Sequence, residues 1–367
     1  MVSLNRKSTV PLYAQLKVEL IKLIVSGKFK SRSRFYSLSE IVKKYNVSMI
    51  TACRVLDELT TEGYLKKSQG KRSIVTGARA RNGSSKLVKI AVFFYSKSDT
   101  VLIEYNQMPW ASMIFAGIQE ALLKKKALWT MISAGNSKDA VVKLEEVKDE
   151  HDAFICLSPS IEDELTVAFE KLRRPYLIVQ PSREKLSYNF IAADYYSGSS
   201  ELAKMAIAKN YKSFLYLFND RKGNPEKMRG FLETLISEGV SPQQIHLRIT
   251  GSFDEKDIEE VFVGFVNEQD KDKLFPLAVY SFGDRLSIPI LATCNKLGFT
   301  VPEKVGVAGS TGLSEAEQCK PPLTTIQTPA REMGNTAVEM IFEMLSAGTY
   351  RIPGIKLDVK LIKRESL

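Results

Sequence analysis

The chain has 367 residues, which suits two or three domains and is too long for one typical domain. Its hydrophobic content of 44% is ordinary for a globular protein, so cores of normal size can form. The net charge of +10 is uneven, because residues 1–86 hold 18 Lys and Arg against 5 Asp and Glu, whereas residues 87–367 carry a net −3.

This asymmetry predicts a basic module that binds a polyanion and a near-neutral body with a different task. A membrane surface is one candidate polyanion, but neither end of the sequence carries a lipidation motif. Nucleic acid is therefore the better candidate.

Cysteine spacing and the first residues bear on localisation. The start MVSLNRKSTVPLYAQ lacks the apolar core of a signal peptide, and no run of about 18 apolar residues occurs. These features predict a cytoplasmic protein with no membrane partner. The cysteines are far apart and form no C-x-x-C pair, so we expect reduced thiols and neither a metal site nor a cofactor: Cys53, Cys156, Cys294 and Cys319.

Three helices are predicted in the basic module. Apolar residues recur at helical spacing over residues 11–27, and the sequence of residues 37–40, SLSE, fits a capping box that opens a second helix. This helix ends near Asn46, and Ser48 caps a third helix that Gly63 terminates. Two short helices joined by about three residues form a helix-turn-helix.

A short hairpin follows the third helix. Two strands are predicted over residues 64–68 and 72–76, with a turn at Gln69-Gly70-Lys71. The hairpin forms a wing beside the helix-turn-helix, and its basic tip is suited to meet phosphate, which contributes affinity and salt dependence. The alternative is a solvated run of charges on a small domain.

The segments PLYAQL, NVSMITACRVLDELTTEGYL and QGKRSIV resemble the winged-helix domain of GntR-type transcription regulators over residues 10–76. The DNA-contacting arginines of that family fall here on Ser39, Met49 and Cys53. These departures do not alter the expectation of a winged-helix fold. They do mean that the operator sequence of the family is not carried over to this protein. The predicted DNA-binding residues are Tyr36, Ser37, Ser39, Met49, Thr51, Cys53, Arg54, Gln69, Lys71 and Arg72.

Arg54 is the first choice for a base or phosphate contact, because the third helix of such a domain lies in the major groove. Its alternative role is a surface arginine that pairs with Asp57 or Glu58 along the helix. Whether Met49 and Cys53 read bases or merely pack is left open.

Residues 77–86, GARARNGSSK, are small, polar and basic, and they predict a flexible linker between a domain at residues 1–76 and one at residues 87–367. After the linker, short apolar strands alternate with helical stretches. This pattern predicts an α/β/α architecture with parallel sheets in two lobes. Ligands of such folds bind in the crevice outside the carboxyl ends of the strands.

The segments GFTVPEKVGVAG, PLTTIQ and Met333-Gly334 resemble the closing part of the LacI and periplasmic sugar-binding superfamily, over roughly residues 88–365. The segments IAAD at residues 191–194 and RGFL at residues 229–232 are similar to its internal landmarks. The resemblance implies two lobes that close on a small ligand, usually a sugar or nucleobase, and that pair as dimers.

The ligand contacts implied by this resemblance depart from the family's usual types. The family's arginine falls on Lys227, with Arg229 as a possible substitute, and its stacking aromatic falls on Phe253. Its Asn-Asp pair becomes Gly283-Asp284, and its carboxylate position becomes Thr311. Loss of a bidentate arginine and a carboxylate changes the expected ligand, so the resemblance implies the effector class and not its identity.

Further candidates lie in the first lobe. Ser96, Asp99 and Trp110 fall where this lobe should face the cleft, and Asp194 closes the first landmark segment. An aromatic ring with polar neighbours suits sugar recognition, although core packing is the alternative role of Trp110.

Catalytic motifs are absent from the sequence. The two histidines, His151 and His246, accompany no nucleophile motif, and there is no Walker or H-E-x-x-H sequence. The leading hypothesis is a dimeric transcription regulator that binds operator DNA and senses a small molecule, with a monosaccharide favoured. A sugar-active enzyme and a solute-binding protein, each with a basic head that localises it to DNA, are the alternatives. Repression or activation is left open.

Overall fold

The structure is a computed structural model, and it describes most of the chain. The described residues are 4, 12–25, 28–29, 33–61, 64–68, 71–75, 87–95, 109–157, 162–181, 189–219 and 225–367. The predicted linker and the site candidates Gln69, Ser96 and Asp99 lie outside these residues. The domain boundaries at residues 76 and 86 therefore stay predictions.

The described residues of the N-terminal region, which we call the head, form three helices and a two-stranded antiparallel hairpin. The predicted capping box is confirmed, because Ser37 Oγ accepts the Glu40 backbone N–H at 3.2 Å and Glu40 Oε2 accepts the Ser37 N–H at 2.7 Å. Asn46 ends the second helix in the left-handed conformation. The elements are α1 (Leu12–Val25), α2 (Leu38–Tyr45), α3 (Met49–Thr61), β1 (Leu65–Ser68) and β2 (Lys71–Val75).

The first lobe contains a six-stranded parallel sheet with strand order β13-β7-β6-β5-β3-β4. Its central strands are buried on both faces, which explains their continuous apolar sequences. The elements are β3 (Lys89–Tyr95), α4 (Pro109–Lys124), β4 (Leu128–Ala134), α5 (Ser137–Val147), β5 (Ala153–Cys156), α6 (Glu162–Leu172), β6 (Tyr176–Val179) and β7 (Phe190–Ala193), with α13 (Ala330–Ala347) and β13 (Ile355–Leu357) added from the end of the chain.

The second lobe has strand order β14-β12-β11-β10-β8-β9, and β14 is its one antiparallel strand among the described residues. Two lobes with parallel α/β architecture were predicted, and both are present. The elements are α7 (Tyr195–Ala208), β8 (Ser213–Asn219), α8 (Pro225–Ser237), β9 (Ile245–Thr250), α9 (Glu255–Glu268), α10 (Lys271–Leu274), β10 (Leu277–Ser281), α11 (Asp284–Lys296), β11 (Val305–Thr311), α12 (Glu315–Gln318), β12 (Thr324–Gln327) and β14 (Lys360–Ile362).

The chain crosses between the lobes three times: after β7, after β12 and between β13 and β14. Hydrogen bonds join neighbouring crossovers. The Tyr195 hydroxyl lies 2.7 Å from Thr328 Oγ1, and the Asp194 N–H donates to the Leu357 carbonyl at 2.8 Å. The crossovers thus form one connected hinge between the two sheets.

The head packs against the C-terminal end of α13. Ala347 is buried in the apolar core of the head, and the Tyr64 hydroxyl donates to the Ala347 carbonyl. Gly348 ends α13 with φ 64°, and a Cβ there would lie 1.9 Å from the Tyr64 hydroxyl oxygen. Glycine at this position therefore permits both the left-handed turn and the close approach of the head.

Within the part of the chain that the structure describes, every helix is too short or too polar to cross a membrane.

Candidate functional site

Two regions can bind a partner: the outward face of α3 in the head, and the carboxyl edges of the two sheets. In the head, α3 buries one face against the core through Ala52, Val55 and Leu59. The opposite face carries Met49, Ile50, Cys53, Arg54 and Asp57, all exposed. Met49 and Cys53 therefore do not pack in the head core, which answers half of the question left open by the sequence.

Arg54 forms the intrahelical pair that was its alternative role. Its Nε lies 3.0 Å from Glu58 Oε1, and its guanidinium lies 3.8 Å from the centre of the Tyr13 ring. Glu58 also accepts from Lys17 Nζ at 3.0 Å. The Arg54 side chain is still 56% exposed, and ion pairs between solvent-accessible side chains contribute little to stability, so a phosphate can replace Glu58.

The predicted contacts at the start of α2 lie on one side of the head. The Tyr36 hydroxyl accepts a hydrogen bond from Lys44 Nζ, which also lies 4.4 Å from the centre of its ring. Ser37 caps α2, and its hydroxyl oxygen lies 3.1 Å from that of Ser39. The hydroxyl of Thr51, at the start of α3, is already paired with Ser48 Oγ at 2.8 Å.

The hairpin is joined to α2 by an ion pair. Arg72 lies 2.9 Å from Glu40 Oε1, and both side chains are exposed. Hydrogen bonds from Ser37, the backbone N–H first, together with the Arg72 charge lower the pKa of Glu40. Lys71 begins β2, beside the turn where Gln69 lies outside the described residues. The hairpin is thus held beside the helix-turn-helix.

In the second lobe, Lys227 is the most unusual of the predicted effector residues. It is 5% exposed, and its Nζ donates to the Phe282 carbonyl at 2.9 Å. The ammonium lies 4.2 Å from the centre of the Tyr195 ring and 4.5 Å from that of Phe282. Burial lowers the pKa of Lys227 to about 7, with the nearby Asp284 carboxyl acting in the opposite direction. This lysine therefore changes charge near neutral pH.

The structure places Arg229 on a different face of α8 from Lys227. Arg229 is exposed and pairs with Glu226 at 2.6 Å and Glu233 at 3.1 Å, both on α8. Residues two apart on a helix point about 200° apart, so the side chain that follows Lys227 by two positions faces solvent.

Asp284 does not present a free carboxylate. It is fully buried, and its Oδ2 accepts the backbone N–H groups of Gly312 at 2.9 Å and Leu313 at 2.8 Å. Its Oδ1 accepts from Thr325 Oγ1 at 2.6 Å. Burial raises the pKa of this carboxyl, and the hydrogen bonds oppose that rise. Asp284 thus holds the loop after β11 in place, and a direct contact between its carboxylate and a ligand stays a prediction.

The other predicted effector residues lie near strand ends or in the core. Thr311 ends β11 with φ 147°, which β-branched residues rarely adopt, and its hydroxyl donates to the Ser310 carbonyl. Phe253 follows β9, and the Arg285 guanidinium lies 5.3 Å from its ring centre. Asp194 caps α7 by accepting from Ser197, and Trp110 packs against the main apolar core, its alternative role.

Two side chains that the sequence did not single out lie at the ends of buried strands. Asn219 ends β8 and is 4% exposed, and neither atom of its side-chain amide has a hydrogen-bond partner among the described residues. Gln180 follows β6; its Oε1 accepts the Ala193 N–H at 3.0 Å, but its Nε2 has no described partner. Buried amides are normally paired, so both are candidates for hydrogen bonds to a bound molecule. In the sequence, the feature that could have identified them is a single polar residue at the end of an apolar run: Gln180 in YLIVQ and Asn219 in LYLFN.

No group of His, Cys, Asp and Glu within the described ranges is arranged to hold a metal ion. The amide, hydroxyl and aromatic groups at the strand ends are those that recognise a polar small molecule.

The second lobe resembles known proteins in sequence, and so does the chain as a whole. Residues 203–367 match the family described as periplasmic binding protein-like domain. The arabinose metabolism transcriptional repressor of Geobacillus stearothermophilus is 24% identical over 373 aligned positions, covering 98% of this chain and 99% of the repressor. The repressor of the same name from Halalkalibacterium halodurans is 25% identical, covering 91% of this chain and 89% of that protein.

Solved structures show the same two-lobed architecture. The LacI family transcriptional regulator of Enterococcus faecium, crystallised with bound ribose, has a TM-score of 0.61 at 18% identity and covers 75% of this chain and 98% of that regulator. The C-terminal part of this chain therefore has the same two-lobed fold as that regulator.

Proposed function

We propose that the protein is a DNA-binding transcription regulator whose affinity for operator DNA is controlled by a sugar bound between its two C-terminal lobes. Two of its relatives over nearly its whole length are named arabinose metabolism transcriptional repressors, which supports repression and this class of effector. The observation that carries the effector site is Asn219, a buried amide at a strand end with no described partner. The enzyme and solute-binding alternatives lose support because these relatives are transcriptional repressors.

The head acts as a winged helix-turn-helix of the GntR type, with α3 in the major groove and the hairpin as the wing. The net charge of +13 over residues 1–86 and the hairpin beside the helices support this assignment. Arg54 and Arg72 exchange their exposed ion pairs with Glu58 and Glu40 for phosphates. The proposed contacts remain Tyr36, Ser37, Ser39, Met49, Thr51, Cys53, Arg54, Gln69, Lys71 and Arg72.

The effector lies at the carboxyl edges of the two sheets, as ligands do in parallel α/β folds. Asn219 and Gln180 form hydrogen bonds to its hydroxyl groups, Phe253 packs against its apolar face, and Lys227 lies at one end. Asp284 and Thr311 shape the loop that borders the site. Asp194 remains a proposed contact on the first lobe's side, as do Ser96 and Asp99, which lie outside the described residues, whereas Trp110 packs against the core.

Ligand binding acts by a population shift. A sugar that contacts both lobes favours their closed arrangement, and this changes the position of the two heads in a cytoplasmic homodimer. Operator affinity then changes by the factor that separates the effector's affinities for the two arrangements. A repressor releases its operator when the effector binds.

The test is fluorescence anisotropy of labelled DNA from upstream of the protein's own gene, at two salt concentrations, with and without a panel of monosaccharides that includes arabinose. We expect specific binding that one sugar weakens. Asn219→Leu, which keeps the branching of the side chain and removes its polar atoms, should retain DNA binding and lose the sugar response, whereas the exposed control Asn295→Leu should retain both.

Two results would contradict the proposal. Binding that is weak, purely dependent on salt and insensitive to every sugar would remove the effector-controlled mechanism. A normal sugar response in Asn219→Leu would remove Asn219 from the site while leaving the regulator intact.

A further inference from the structure

We propose that Met49 and Ile50 read the methyl groups of thymine in the operator, an inference that rests on the DNA-binding function proposed above. Both residues lie in the first turn of α3, with side chains 62% and 83% exposed. Among the described residues of the head, they are the two large apolar side chains that reach solvent. The first turn of a recognition helix is the part that meets base edges.

The polar side chains on the same face are already occupied by partners within the head. Arg54 is held by Glu58 and by the Tyr13 ring, as described above. Cys53 Sγ lies 3.9 Å from Asp57 Oδ2, and the Thr51 hydroxyl pairs with Ser48. These contacts use part of the hydrogen-bonding capacity of Thr51 and Cys53, whereas an apolar contact by Met49 or Ile50 uses side chains that already face solvent.

Charge indicates that the occupant of this apolar tip is DNA. Lys43 and Lys44 end α2 directly before the turn into α3, and both are exposed. The N-terminus of α3 adds the positive end of its helix dipole. A surface of this kind fits the major groove, where phosphates flank the site and the C5 methyl of thymine is the apolar group on a base edge.

The inference can be tested by removing only the methyl group. The full-length protein first selects duplexes from a random pool, and the enriched duplex is remade with deoxyuridine in place of single thymines. Anisotropy then measures affinity for each duplex. We expect a loss of about fourfold at one or two positions, the value of one buried methyl group.

The matching protein variant is Met49→Ser combined with Ile50→Ser, which should bind the thymine and uracil duplexes equally. The control is Val142→Ser, which changes an exposed apolar residue on α5. It should keep the wild-type ratio of affinities for the thymine and uracil duplexes.

An enriched duplex that binds equally well with uracil throughout would overturn this inference and leave the regulator intact. A double-serine variant that keeps the wild-type ratio of affinities for the thymine and uracil duplexes would also overturn the inference. A variant in which only the oligomeric state changes would overturn it too, because that result would indicate a protein partner for this surface. Failure to enrich any duplex would overturn the inference together with the DNA-binding function.

Discussion

At the scale of single residues, helix geometry decides which neighbours share a site. Lys227 and Arg229 are two positions apart, yet one is buried near the crossover residue Tyr195 and the other lies in an exposed ion-pair network. Asp284 was predicted as a ligand contact, and in the structure it accepts two hydrogen bonds from the loop after β11 and one from Thr325 on β12. The sequence did not indicate Asn219 as a site residue, because a single polar residue at the end of a strand is also typical of the start of a loop.

Lys227→Met should increase stability below neutral pH. The folded-state pKa of about 7 lies below the ordinary value of 10.5. Below pH 7 the buried lysine is charged, and the wild-type protein bears the full free-energy cost of that charge. This cost declines as the pH rises from 7 to 10.5. We expect the variant's gain in unfolding free energy to be largest at pH 6, at most about 5 kcal/mol, and to shrink towards pH 10. Urea unfolding at pH 6, 8 and 10 measures this difference.

Arg229→Met is the control for that experiment, because its side chain is exposed and should show no such pH dependence. A Lys227→Met difference that stays constant from pH 6 to 10 would mean that this lysine keeps its ordinary pKa.

At the scale of elements, some features can be predicted from the local sequence, whereas others depend on tertiary packing. The capping box at Ser37 was predictable because both of its hydrogen bonds lie within four residues. The motif Met333-Gly334 resembled a family landmark, but its physical reason needs the structure. A Cβ on Gly334 would lie 2.0 Å from the Ile114 carbonyl oxygen, so glycine allows α13 to contact the α4 backbone. Only tertiary packing makes that position critical.

Ser37→Ala should destabilise α2 by about 1 kcal/mol, because it leaves the Glu40 backbone N–H without its cap. Hydrogen exchange of the α2 amides measures this loss, and sugar binding should be unchanged. Ser39→Ala is the matched control, since Ser39 lies within the helix and caps no N–H. Equal protection in the two variants would show that the capping box contributes nothing.

At the scale of the whole molecule, α13 links the effector domain to the head. The helix begins two residues after Thr328, whose side chain bonds Tyr195 at the hinge, and it ends at Ala347 in the head core. Its 18 residues span about 27 Å as one rigid element. A change in lobe angle at the hinge can therefore reach the head through one helix.

Tyr64→Phe should weaken this coupling, because it removes the hydroxyl that donates to the Ala347 carbonyl and keeps the ring. We expect the factor by which the effector changes DNA affinity to fall several-fold, within the usual coupling range of about 1–3 kcal/mol. Anisotropy with and without effector gives this factor. Tyr350→Phe, just beyond the same helix end, should leave it unchanged, and an unaltered factor in Tyr64→Phe would assign the coupling to other contacts.

The sequence by itself determined the basic head, its helices and hairpin, and the two α/β lobes, because charge, periodicity and caps are properties of neighbouring residues. Tertiary structure alone decided that Arg229 faces solvent, that Asp284 supports a loop, and that Asn219 and Gln180 lie buried at strand ends. It also decided that the head rests on α13. Each of these depends on groups far apart in sequence, which only packing brings together.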